Sequence, residues 1–267
     1  MFVTTNERAF IVAALESLES SPPQRDVEIV VVDNASSDGA GDEITRRWPQ
    51  VRVLAQKTRQ RLPVNLNTGL AATGAHYAMV CNSDVVFRPG AVDALATFLD
   101  DHPEVAMVAP RLLSPEGRTW PSGRRWYTWR ALLALRCPGI ADPKRFPSVR
   151  RSLYADWDHV SPRCVDWVHC PATMIRRAAL DEVGVMDERF RIYFGDVDLA
   201  LRMHEAGWQV WCEPAAEVAH VWQRASVRFL SGAWFSHLGS LLQFWHKYYG
   251  LRPRTKGPVE HVAARSK

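Results

Sequence analysis

From Phe2 to about Val108 the chain alternates short β-type apolar runs with segments of helical periodicity. That alternation restricts it to an α/β architecture, with parallel strands joined by right-handed helical crossovers. Phe2 to Thr5 reads as the end of a first strand, Ala9 to Glu19 as an amphipathic helix, and Glu28 to Val32 as a buried second strand ending at Asp33. Gly41 to Trp48 continues as a helix, Val51 to Leu54 as a third strand, Leu66 to Thr73 as a helix and Tyr77 to Cys81 as a strand. Asp84 then falls just past a strand's C-terminal end, the edge at which open α/β sheets bind ligands.

The pattern changes twice further along. Between Arg118 and Arg163 it gives way to Pro, Trp and an excess of basic residues, which predicts an irregular basic insertion at 118–163 and the most mobile loop of the chain. Order returns in a strand-like stretch from Val165 to Ile175 and a short helix from Ala178 to Val183, ahead of the acidic cluster Asp187 to Asp198. Near the C-terminus Leu230, Trp234, Leu238, Leu241, Trp245 and Tyr248 recur at spacings of three and four, the signature of one helical face. The expected organisation is a domain over 1–224, an amphipathic aromatic helix over 225–250 and a basic tail over 251–267.

The 47% hydrophobic content supports a globular core in a chain of 267 residues. Lys and Arg exceed Asp and Glu only by 33 to 29, too small an imbalance to predict a nucleic-acid partner. The five cysteines form no CxxC pair, which argues against a zinc knuckle or disulfide framework and for a reducing compartment. No run approaches the ~18 apolar residues of a membrane span, so the expectation is a cytoplasmic chain, soluble or peripheral on the inner face of the cell membrane.

Several polar residues have both a chemical and a plain reading. Asp33, in VVDNASSDG, can accept hydrogen bonds from a nucleotide base or ribose, or can cap its own turn. Asp84, in CNSDVVF, can bind a divalent cation shared with two phosphates, or is an ordinary turn residue. Asp196 can take a proton from an attacking hydroxyl, or is a helix N-cap. His220, which closes the apolar strand-like run EVAH, can bind metal or phosphate, or is a satisfied structural histidine. Asn65, Asn67 and Gly69 can approach a nucleotide, or can serve a helix cap and a turn. Asp198 and Arg202, four apart, form a supporting ion pair.

Taken in order, TTN at 4–6, VVDNASSDG at 31–39, NLNTG at 65–69, NSDV at 82–85 and YFGDVDLALR at 193–202 resemble the inverting family 2 glycosyltransferases of the GT-A fold. The flavour is that of the rhamnosyltransferase-like branch, and the resemblance also takes in WVHCPATMIRRAALDEVGVMDERF and AGWQVWCEPAAEVAH. It implies a Rossmann-like nucleotide-binding sheet with flanking helices and a C-terminal helical extension. It further implies a nucleotide-sugar donor, dTDP-rhamnose or a UDP- or GDP-sugar, and a polysaccharide, cell-wall or lipid-linked glycan acceptor. On the same basis Thr5, Asn6, Asp33, Asn65, Asn67 and Asn82 line the nucleotide, Asp84 and His220 hold Mg²⁺ or Mn²⁺, and Asp196 is the catalytic base. Trp167, Cys170 and Gly195 fall on the acceptor side.

Gly195 stands where such enzymes commonly carry Glu, and this motivates an alternative: a catalytically silent relative that binds nucleotide-sugar or an active partner. A sugar nucleotidyltransferase would carry a glycine- and lysine-rich loop after the first strand, which TTNERAF lacks. The aromatic C-terminal stripe, with Arg252, Arg254 and Lys256 beyond it, can contact an anionic membrane surface, pack on the core, or join two copies in a homodimer.

Overall fold

The computed structural model describes residues 1–128, 146–221 and 232–248. In chain order the elements are β1 Phe2–Thr4, α1 Arg8–Ser20, β2 Val30–Asp33, α2 Ala40–Arg47, β3 Arg52–Ala55, α3 Leu62–Ala71, β4 Tyr77–Asn82 and β5 Val85–Phe87. Next come α4 Ala91–Asp101, β6 Val105–Leu113, β7 Thr119–Trp120, β8 Gly123–Arg124 and α5 Pro147–Ser152. The series ends with β9 Arg163–Cys164, β10 Trp167–Val168, β11 Ala172–Arg176, α6 Arg177–Val183, α7 Gly195–Glu205, β12 Gln209–His220 and α8 Gly232–Tyr248.

The main sheet runs β3-β2-β1-β4-β11-β6-β12-β5. Its first four strands are parallel, with Phe2 opposite both Val31 and Cys81. Beyond them the sheet is mixed: β11 runs antiparallel to both β4 and β6, and β5 antiparallel to β12. Apolar periodicity sets which face a residue takes but carries no strand direction, so the reversals were invisible in sequence.

The sheet buries both faces, and the alternation along each strand shows it. Val30 and Val32 join the core beneath α3, α6 and α7, whereas Val31 joins the opposite core beneath α1, α2 and α4. All three valines are essentially without solvent contact, and each stabilises the fold by about 1.5–3 kcal/mol through burial. Helix α1 docks through Ile11, Ala14 and Leu15, at spacings of three and one that share one face. Helix α2 carries Asp42 and Glu43 in its first turn and Arg46 and Arg47 in its last, matching its dipole.

Two sequence expectations need correction. The span 118–163 is not irregular throughout: β7 pairs with β6, β8 pairs with β10, and α5 follows, although such two-residue ladders are too short to leave a periodicity. The stretch Val165 to Ile175 is not one strand, since it breaks into β10 and β11 around Pro171, which has no N–H to give a ladder. Residues 129–145, the start of the predicted C-terminal helix, and the tail with Arg252, Arg254 and Lys256 lie outside the described residues.

Candidate active site

The C-terminal ends of β1, β2 and β4 carry the residues singled out in sequence. After β1, Asn6 adopts a left-handed backbone with φ of 55°, a conformation that Asn tolerates better than most residues. Its Oδ1 accepts the Ser37 N–H at 2.7 Å, tying the first loop to the second. Asp33 is buried, and its Oδ1 accepts the Ser36 N–H at 2.9 Å. Its Oδ2 lies so close to α2 that a Cβ on Gly41 would come within 2.9 Å of it. The turn-capping and ligand-facing readings of Asp33 are therefore compatible, one oxygen being committed to the turn.

Asn34, which the sequence reading passed over, organises this wall. Its amide donates to Thr5 Oγ1 at 3.1 Å and to the Gln60 carbonyl at 3.2 Å, and its Oδ1 accepts the Gln60 N–H at 2.7 Å. The 56–61 loop is thereby drawn against the ends of β1 and β2. A cavity of about 550 Å³ opens there, lined among others by Thr5, Asn34, Arg61, Asn65, Arg191 and Ser236. Asn65 is fully buried, and neither its Oδ1 nor its Nδ2 has a hydrogen-bond partner among the described residues. An unpaired buried amide costs about 1–3 kcal/mol, so a polar ligand in the cavity has a group waiting for it. Asn67 points elsewhere: its amide donates to the Met186 carbonyl and to Glu188, both at 2.9 Å, and accepts the Met186 N–H at 3.0 Å. A larger, mostly apolar cavity of about 720 Å³ lies at the other end of the same strands, around Val30, Ala78 and Met79.

Asp84 and His220 meet across the sheet edge. The β5–β12 ladder sets His220 opposite Val85, and the Val221 N–H donates to the Asp84 carbonyl at 3.0 Å. This register brings His220 Nε2 to 3.2 Å from Asp84 Oδ1, with both side chains largely buried. An imidazole nitrogen and a carboxylate oxygen this close could together ligate a divalent cation, were one bound. Among the described residues no third His, Cys, Asp or Glu joins them. Asn82 lies just before this pair, its N–H donating to the Pro171 carbonyl at 2.8 Å.

Asp196 occupies the first turn of α7, after Phe194 in a left-handed conformation with φ of 69°. Its Oδ1 accepts the N–H of Val197 at 2.9 Å, so the side chain sits at the positive end of the helix. Burial nevertheless dominates and pushes the carboxyl up to about 6, against the opposing pull of that N–H and of Arg124. Burial first, and then the Asp196 charge, raises the Cys170 thiol well above its ordinary range. Gly195 leaves little room: a Cβ there would approach Met186 Cε to 3.2 Å. Trp167 is buried, donates its indole N–H to the Arg125 carbonyl at 3.0 Å, and packs on Tyr127, which in turn packs on Phe194. It braces the turn that carries Asp196.

Two further groups complete the edge and were not singled out from sequence. Arg124 donates to the carbonyls of Pro121 and Gly123, and burial lowers its guanidinium despite the attraction of Tyr127, Cys212 and Asp196. His169 is pushed down to about 3 by burial and by the charges of Arg124 and His220, and its Nδ1 has no hydrogen-bond partner among the described residues. His169 stood in sight within WVHC, and Arg124 was hidden in the basic insertion. Asp198, by contrast, is structural: fully buried, it receives Arg202 at 3.0 Å, Lys247 at 2.5 Å and the Tyr248 hydroxyl at 2.6 Å.

This arrangement has counterparts. Over 210 residues the chain is 29% identical to an N-acetylglucosaminyl-diphospho-decaprenol L-rhamnosyltransferase of Mycobacterium tuberculosis, covering 74% of this chain and 67% of that protein. It is 30% identical over 198 residues to a pre-mycofactocin glycosyltransferase of the same organism, covering 73% of this chain and 38% of that one. Among solved structures it superposes on GalNAc-T7 with UDP, GalNAc and Mn²⁺ at a TM-score of 0.67 and 14% identity, spanning 93% of this chain but 47% of the other. A mannosyltransferase from Pyrobaculum calidifontis with GDP-Man and Mn²⁺ gives 0.63 and 18% identity, spanning 94% and 64%. The mixed α/β sheet is thus that of the GT-A fold. Residues 1–184 match the sequence model of glycosyl transferase family 2, well over half the chain, and the chain belongs to that family.

Proposed function

We propose that the chain transfers a sugar from a nucleotide-sugar donor to a hydroxyl of a glycan or lipid-linked glycan acceptor, with inversion at the anomeric carbon. The observation that carries this reading is the Asp84–His220 pair just past the end of β4, supported by the cavity at the ends of β1 and β2 and by a carboxylate lifted to about 6 in the first turn of α7. Thr5, Asn6, Asp33, Asn65 and Asn82 hold the nucleotide side. Asp84 and His220 hold Mg²⁺ or Mn²⁺, which when bound neutralises charge on the departing diphosphate. Trp167, Cys170 and Gly195 border the acceptor.

In this reading Asp196 accepts the proton of the acceptor hydroxyl as its oxygen forms a bond to the anomeric carbon. The bond from that carbon to the diphosphate breaks, and its electron pair leaves with the nucleoside diphosphate. A carboxyl near 6 is ionised at neutral pH yet more basic than an ordinary aspartate, which suits a general base. A single displacement from the face opposite the leaving group inverts the configuration. The M. tuberculosis relative, named for a diphospho-decaprenol substrate, supports a lipid-linked acceptor.

The test is transfer from dTDP-rhamnose and from UDP- and GDP-sugars, with Mn²⁺ or Mg²⁺, to a lipid-diphosphate N-acetylglucosamine, with the product's anomeric configuration read by NMR. An inverted product, lost in Asp196→Asn, supports the assignment. A retained configuration, or full turnover in Asp196→Asn, sinks it. Gly195, in place of a second carboxylate, favours one rival: a silent nucleotide-sugar-binding protein, which would bind donor with metal and transfer to no acceptor.

A further inference from the structure

Helix α8 has more apolar surface than the protein covers. One side packs inward through Phe244, which meets Phe190 and Phe194, and through His237, which meets Tyr193. The C-terminal turn is fastened by Lys247 to Asp187 at 2.7 Å and to Asp198 at 2.5 Å. The sequence reading placed Leu238, Leu241, Trp245 and Tyr248 on one face, but the structure divides them. Leu241 and Tyr248 lean on the core, whereas Leu238 and Trp245 stand out with Phe235 and Leu242 at 39%, 47%, 56% and 53% exposure respectively. Residues 235, 238, 242 and 245 fall within one side of a helix, so the exposed group is a continuous stripe.

The stripe borders the cleft. Ser236, on the same helix, lines the 550 Å³ cavity together with Arg191 and Ile192, and Ile192 is itself 54% exposed. The charge pattern of the sequence around α8 is one-sided: from Val221 to Pro258 there is no Asp or Glu, while Arg224, Arg228, Arg252, Arg254 and Lys256 are basic in addition to the inward-paired Lys247. An aromatic and leucine stripe set within a cationic, carboxylate-free stretch has the composition of an interfacial helix, and such basic clusters are attracted to anionic headgroups.

We propose that the exposed stripe Phe235, Leu238, Leu242 and Trp245 of α8 docks the protein on an anionic phospholipid bilayer, with the cavity mouth at the headgroup plane. The inward face keeps α8 on the catalytic core while the outward face enters the acyl boundary, so a lipid-linked acceptor meets the cleft without leaving the membrane. Only this last consequence rests on the proposed transferase reaction.

The experiment is flotation of the full chain, without substrates, on vesicles of phosphatidylcholine alone and of phosphatidylcholine with phosphatidylglycerol. The intact chain floats with the anionic vesicles, and more weakly with the neutral ones. The double variant Leu238→Glu, Leu242→Glu changes only exposed side chains, and it binds about a hundredfold more weakly because each lost leucine insertion removes about a factor of ten. Its unfolding temperature and its nucleotide-induced thermal shift stay those of the parent, which separates lost docking from lost folding. Failure of the intact chain to float, or equal flotation of the variant, overturns the proposal. So does light scattering that shows a dimer split by the same two substitutions, which assigns the stripe to a second copy. Because flotation uses no donor or acceptor, a negative result leaves transfer to a soluble acceptor to be judged separately.

Discussion

Replacing Asp196, the proposed base, by Asn should cut turnover and stabilise the fold. The carboxyl rises from 3.8 to about 6 on folding, mainly because burial penalises its charged form. The sign follows from proton binding. Where the folded value lies above the unfolded one, the unfolded chain ionises first, so this group's contribution is most favourable below 3.8 and declines as pH climbs through about 6. At ~1.4 kcal/mol per pH unit the full decline is about 3 kcal/mol; partial access to the cleft reduces that to about 1–3 kcal/mol. Asn keeps the shape and discards the charge, so Asp196→Asn should be more stable than the parent by that amount above pH 6. The gain should close as pH falls toward 4. Urea unfolding of both proteins from pH 4 to 8 measures it, alongside a loss of about 10²–10⁴ in turnover from removing the base. A variant less stable at pH 7.5, or one whose stability difference ignores pH, would refute the burial argument.

Other substitutions test other parts of the site. Asp198→Ala leaves Arg202 and Lys247 facing an empty buried position and should cost about 3–5 kcal/mol in urea unfolding; a loss below 1 kcal/mol would show that the network contributes little. Asn65→Ala removes a buried amide whose two polar atoms lack partners among the described residues, so the unligated protein should gain up to about 1–3 kcal/mol, less what the truncated packing costs, while nucleotide-induced stabilisation shrinks. Unaltered nucleotide stabilisation would remove Asn65 from the site. Gly41→Ala places a methyl 2.9 Å from Asp33 Oδ2, and the displaced carboxylate should weaken nucleotide binding about tenfold, the worth of one charged hydrogen bond. Calorimetric titration reads this, and unchanged affinity would mean that Asp33 does not touch the ligand.

Much of the N-terminal half was legible because its elements are local. The buried run before Asp33 and the amphipathic spacing of α1 are properties of a few consecutive residues, and both appear within about two residues of their expected bounds. Helix α3 begins at Leu62 rather than Leu66, because Pro63 in its first turn is a permitted starter and not a breaker. Strand β12 was read only in part: Pro214 and the register shift between Glu213 and Glu217 interrupt its alternation, although the strand runs from Gln209 to His220. At the site, Asp84 and Asp196 could be found from short motifs. Asp84 and His220 could be put together only through the family resemblance, and Arg124 near Asp196 not at all, because both depend on ladder registers between distant segments, which no local pattern encodes. Asn34 lacked any signal beyond following Asp33, since its role lies wholly in the Gln60 loop it captures.

The most direct test of the proposed donor site is titration of the intact chain with dTDP, UDP and GDP, each with and without Mn²⁺, in parallel with Asp84→Ala. The account predicts that one nucleotide binds with a clear preference, that Mn²⁺ tightens it, and that Asp84→Ala loses the Mn²⁺ effect while retaining weaker metal-free binding. Binding of none of the three, or a Mn²⁺ effect that survives Asp84→Ala, would contradict the assignment of this sheet edge to a metal-assisted nucleotide-sugar site.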